Sequence, residues 1–107
     1  MKNIAVVMGG YSAEKAISMK SGQVALQYLQ NKHYKPYAVV IDKQGWRAVH
    51  KGRNYLIKKS DFSTTIEEEK ITFSAVFMAI HGTPGEDGEL QVYLDQLNIP
   101  YTTSGAK

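Results

Sequence analysis

Cysteine is absent from the 107 residues, which excludes a disulfide framework, a thiolate metal centre and a cysteine nucleophile. Long apolar runs are also missing. Nothing is long enough to span a bilayer, and Ile4 to Met8 is shorter than the ~7 to 15 residues of a signal-peptide core before it meets Gly9-Gly10. The expected location is therefore cytoplasmic, with no membrane partner. A strong excess of one charge is lacking too, since the formal net charge is only +3. Lys43, Arg47, Lys51, Arg53, Lys58 and Lys59 cluster in one polar stretch rather than along a helix, which suits a solvated hairpin edge better than a nucleic-acid face. Repeats and low-complexity segments do not occur. What remains is 43% apolar and 21% charged, the balance of a soluble globular domain. At this length, residues 1–107 are expected to form one domain around a single core.

Asn3 to Met8 is a continuous apolar run with β-branched residues, as in a strand covered on both faces. Ser12 can cap a following helix whose apolar or small positions Ala13, Ile17, Ser21, Val24, Ala25, Tyr28 and Leu29 recur at spacings of three and four, with an end near Asn31. Lys35-Pro36 bars further helix, and Tyr37 to Ile41 reads as a second strand. Between Asp42 and Lys70 the pattern weakens. Gly52 sits between two segments able to pair as a small hairpin insertion outside the core, and polar Ser60 to Lys70 reads as an exposed loop or short helix. Ala75 to Ile80 is a third buried strand, Leu90, Tyr93, Leu94 and Leu97 mark a second helix, and Asn98 to Tyr101 leads into a fourth strand. Strands alternating with helices predict an α/β fold, a mainly parallel three-layer sheet flanked by helices.

Parallel strands joined by right-handed crossovers end on one rim, where open α/β sheets bind ligands. Gly9 to Glu14 and His81 to Gly88 would then face each other across one crevice. The glycines lack the spacing of a dinucleotide fingerprint and neither corner ends in GK[ST], so a tight turn at positive φ competes with phosphate binding. Glu14 suits either the positive end of a helix or a substrate ammonium. His81 suits either a satisfied structural role or contact with a carboxylate. Nothing points to His33 or His50. Glu86, Asp87 and Glu89 read as first-turn acids of the second helix rather than metal ligands, with Asp87 as its cap.

Taken together, MGGYSAEKAISMKSGQVALQYL and AIHGTPGEDGELQVYLDQLNIPYTTSG resemble the N-terminal, Rossmann-like domain of D-alanine-D-alanine ligases of the ATP-grasp class. The joint patterns are GG-x-SAE-x-x-(V/I)S, HG-x-x-GEDG-x-(L/I)Q and IPYT-x-SG. They run nearly the length of the chain and weaken from Lys51 to Thr72. The resemblance implies an enzyme that makes the D-alanyl dipeptide of peptidoglycan precursors through an acyl phosphate. It places the ammonium of the first D-alanine on Glu14, which also helps to orient a serine and a tyrosine from later in such chains, and it places His81 along that substrate's carboxyl side. Ser12 matches the motif serine, with a capping role. Ala16 and Ile17 stand where relatives often have glutamate and valine, a change that keeps the apolar position. The sequence ends at Lys107 without the central and C-terminal domains that hold ATP and magnesium, so no cofactor is expected on these residues and the domain alone is expected to be inactive. Ligases pairing D-alanine with D-lactate or D-serine, a stand-alone flavodoxin-like binding module, and a homodimerising structural domain are the competing readings.

Overall fold

Ile4 to Gly9 bury every side chain, which only a central strand between two covering layers permits. A computed structural model describes residues 2–10, 15–30, 33–42, 45–79 and 89–103, and in it this strand, β1 (Lys2–Gly9), is parallel to both of its neighbours. On one side Val6 registers with Ala38 of β2 (Tyr34–Asp42), and on the other with Phe77 of β7 (Ala75–Met78). Between them in sequence come α1 (Lys15–Leu29), β3 (Gly45–His50), β4 (Arg53–Leu56), β5 (Ser63–Ile66) and β6 (Glu69–Thr72); α2 (Glu89–Gln96) and β8 (Tyr101–Thr103) close the described chain. The sheet is mixed α/β, ordered β4-β3-β2-β1-β7-β8, with β2, β1, β7 and β8 parallel and β3 and β4 antiparallel.

Alternate residues of β1 divide the interior. Ala5 and Val7 join Val39, Ile41, Val76, Met78, Leu90 and Leu94, whereas Val6 and Met8 join Ala25, Ala38 and Val40. The single core expected from length is thus two cores, one on each face, with α1 over one and α2 over the other. Crossover handedness explains this: β1 to β2 and β7 to β8 step in opposite directions along the sheet, so right-handed connections put their helices on opposite faces.

The core face of α1 departs from the spacing-based expectation. Ile17, Val24 and Tyr28 are 59%, 64% and 89% exposed, while Ser18, Gly22 and Ala25 are buried. Close approach is the reason. A Cβ on Gly22 would lie 2.6 to 2.8 Å from the Met8 side chain, so only small residues fit under this helix, and Met19, Leu26 and Leu29 fill its flanks. The helix ends at Leu29, short of Asn31, which lies outside the described residues.

Two further expectations fail between Asp42 and Lys70. Lys51 (φ 52) and Gly52 (φ 79) do form a two-residue turn, but the β3–β4 hairpin is no insertion: β3 pairs with β2 and its Ala48 is fully buried. Ser60 to Lys70 is neither loop nor helix. It holds β5 and β6, an antiparallel pair whose turn is Glu67 (φ 52) and Glu68 (φ 71), and Phe62, Ser63, Thr64 and Ile66 are buried. This pair covers the α2 face of the sheet, where Phe62 stacks within 5.4 Å of Phe73 and Trp46 meets Tyr93 edge-on at 5.1 Å. The Tyr93 hydroxyl donates to the Lys59 carbonyl at 2.6 Å. No described helix is long and apolar enough to cross a membrane.

Positive φ at two consecutive glutamates is strained, so Glu67→Asn combined with Glu68→Gly is expected to raise the unfolding free energy by about 1 kcal/mol in urea titrations. Burial, with a smaller push from the Asp61 charge, raises the Tyr93 hydroxyl to about 12. The unfolded chain loses this proton near about pH 10 while the folded chain keeps it, so stability should be whole below that pH and decline as pH rises towards about 12. Tyr93→Phe is expected to flatten that alkaline decline in urea midpoints.

Candidate functional site

The carboxyl rim of the sheet is built by short residues that let chain segments meet. Gly9 (φ 105) and Gly10 (φ 113) turn β1 onto the end of β2, where the Gly10 N–H donates to the Ile41 carbonyl. A Cβ on Gly9 would stand 2.6 Å from that same oxygen. The glycine at position 9 is therefore explained by backbone contact alone, the turn reading that competed with a phosphate cradle.

On the other side of β1, the Ala79 N–H donates to the Val7 carbonyl at 2.8 Å. The fully buried Ser18 hydroxyl accepts from the Gly9 N–H at 2.9 Å and donates to the Ala79 carbonyl at 2.7 Å. One side chain of α1 thus binds the ends of both strands from which the two corners depart. At the end of β2, Asp42 is 5% exposed and takes a bidentate contact from Arg47 of β3, at 3.1 and 3.2 Å. This neutralises the carboxylate beside the rim and gives the Arg47 charge a structural partner.

Glu14 and His81 lie outside the described residues, as do Ser12, Glu86 and Asp87. Gly10 at the end of β1 and Ala79 after β7 are described and stand at the same edge, because the two strands are parallel and in register. Sequence reading gave no role to Ser18, which closes the GG-x-SAE-x-x-(V/I)S pattern, and did not single out Asp42. The available signal was a hydroxyl in the helix's buried strip and an acid closing an apolar strand. His33 is exposed, and His50 packs 5.8 Å from the Tyr37 ring, away from the rim. Among the described residues no three His, Asp or Glu side chains converge as a metal site. Two described hollows also lie elsewhere: about 250 Å³ beside Ile4, Leu29, Tyr34 and Ala75 at the amino ends of the strands, and about 490 Å³ between β4 and β5.

Comparison with known proteins agrees with this architecture. The family model described as D-ala D-ala ligase N-terminus matches residues 3–104. The D-alanine--D-alanine ligase of Flavobacterium johnsoniae is 47% identical over 104 residues, covering 96% of this chain and 32% of that enzyme. The ligase of Azobacteroides pseudotrichonymphae is 45% identical over 106 residues, covering 98% and 33%. The chain thus spans about a third of the length of these relatives. Among solved structures, D-alanyl-alanine synthetase A from Vibrio cholerae superposes with a TM-score of 0.81 at 27% identity, covering 94% of this chain and 30% of that one. A D-alanine--D-alanine ligase from Bacillus anthracis complexed with ATP gives 0.64 at 29% identity, covering 95% and 29%.

The rim geometry makes two glycines unequal. Gly9→Ala adds a clash with the Ile41 carbonyl to the strain of positive φ and is expected to cost more than about 2 kcal/mol. Gly52→Ala, with φ 79 but open space around the added carbon, should cost only about 1 kcal/mol of strain. Chemical denaturation of the two variants measures the difference.

Proposed function

The chain belongs to the D-alanine-D-alanine ligase N-terminal family, and on that premise we propose that it is the substrate-binding domain of an ATP-dependent ligase. The reaction joins two D-alanines through an acyl phosphate into the dipeptide used for peptidoglycan, in the cytoplasm. The observation that carries the reading is the departure of both corner segments from adjacent parallel strand ends, held to one another through Ser18.

In this reading Glu14, in the segment between Gly10 and Lys15, holds the ammonium of the first D-alanine. A carboxylate does this through charge-assisted hydrogen bonds, which are shorter and stronger than neutral ones. His81, two positions beyond Ala79, lies along the substrate's carboxyl side, where an imidazole can donate to a carboxylate oxygen. The described residues do not fit ATP or magnesium: the turn at Gly9 and Gly10 is taken up by contact with β2, and no described acidic cluster converges. Both would be held by the portion of the relatives that this chain does not match. Phosphoryl transfer rests on positioned cations and donors, so the 107 residues alone should not turn over.

Titration of the isotopically labelled chain with D-alanine tests the assignment. The amide signals of Glu14 and His81 are expected to shift and that of Gly52 to stay. L-alanine should have a much weaker effect, and Glu14→Gln should abolish the response. An equal response to both enantiomers, or none at either residue, rules the reading out. ATP-dependent dipeptide formation by the chain alone would refute its predicted inactivity.

A further inference from the structure

We propose that Ser18 is a positioning residue for the D-alanine pocket, fixing through its hydroxyl the separation of the two strand ends after which Glu14 and His81 follow in sequence. This rests on the ligase reading above. Ser18 belongs to the close-packed strip Ser18, Gly22 and Ala25, where the requirement set by β1 is small volume. Alanine meets that requirement and favours the helix more. A buried hydroxyl is costly unless it is bonded, so its presence points to work that packing does not do.

That work is visible in its partners. Accepting from Gly9 and donating to Ala79, at 2.9 and 2.7 Å, the hydroxyl joins α1, the end of β1 and the residue after β7. The contact to Ala79 spans 61 positions of sequence. Ser18 follows Glu14 by four positions, and Ala79 precedes His81 by two. A change in this one group therefore alters the anchorage of both strand ends together, whereas loss of the Ala25 side chain from the strip alters only packing. Binding sites lose affinity when supporting groups let the contacting groups drift by fractions of an ångström.

The test compares three variants of the labelled chain, with binding of D-alanine as the readout. Ser18→Ala is expected to weaken D-alanine binding roughly five- to tenfold, through drift of the contacting groups. The signals of Gly9, Ala79, Glu14 and His81 should move together. Thr64→Val is the control. It removes another buried hydroxyl, which donates to the Leu56 carbonyl at 2.8 Å in the β5 hairpin. It should lower stability comparably while leaving D-alanine binding unchanged. Ser18→Cys, with weaker donor and acceptor capacity, should fall between the parent and Ser18→Ala, and it carries the test if the alanine variant does not fold. Parent-like affinity in the folded Ser18 variants, or an equal loss in Thr64→Val, overturns the proposal. Failure of the unsubstituted chain to bind D-alanine instead overturns the assignment of the D-alanine pocket to these residues. Joint movement of Gly9 and Ala79 still separates that failure from absence of the tie.

Discussion

Everything in the fold is arranged around the burial of β1 on both faces and both edges. A strand in that position has no solvent side, so its residues must be apolar and its backbone groups must find partners in β2 and β7. Ile4 to Met8 satisfy the first demand, and the parallel registers with Tyr34–Asp42 and Ala75–Met78 satisfy the second. Parallel neighbours in turn require crossovers, and the crossovers deliver the helices to opposite faces and the chain to one rim. The geometry of the rim is thus a consequence of how one strand is buried.

That burial also limits what can lie against β1. Met8 presses outwards on one face, and α1 approaches it over Gly22 rather than over a larger side chain. The helix consequently shows its small residues to the sheet and leaves Ile17, Val24 and Tyr28 at the surface. Hydrophobicity alone would orient α1 the other way. Volume decides, since a carbon on Gly22 would stand 2.8 Å from the Met8 Cβ as well as under 3 Å from its sulfur and terminal methyl.

This contest between volume and polarity marks what the sequence makes legible. The three inner strands and α2 follow from continuous apolar runs and an i, i+3, i+4, i+7 pattern, and Leu90 and Leu94 are buried accordingly. The facing of α1 was hidden because glycine, serine and alanine carry little hydrophobic signal. The β5–β6 hairpin was hidden for a different reason: its turn uses Glu67 and Glu68 at positive φ, where glycine or asparagine would announce it. Its core contribution comes from Phe62 and a few threonine and isoleucine side chains set among charges. The turn at Lys51 and Gly52 was readable, but not that β3 continues the main sheet, because a hairpin beside the core and one within it share the same local pattern.

The rim follows the same logic at higher resolution. Glycines between a strand and a helix suggest anion binding when read in isolation. Here Gly9 is required by the Ile41 carbonyl and Gly10 donates to it, so these two glycines are accounted for by contact with β2. The side chain that can relate the two corners is the one bonded to both strand ends, inside a helix whose small face was dictated by β1. A constraint that begins as packing at Met8 and Gly22 therefore reaches the rim, because the same helix carries Gly22 against the strand and Ser18 between the strand ends.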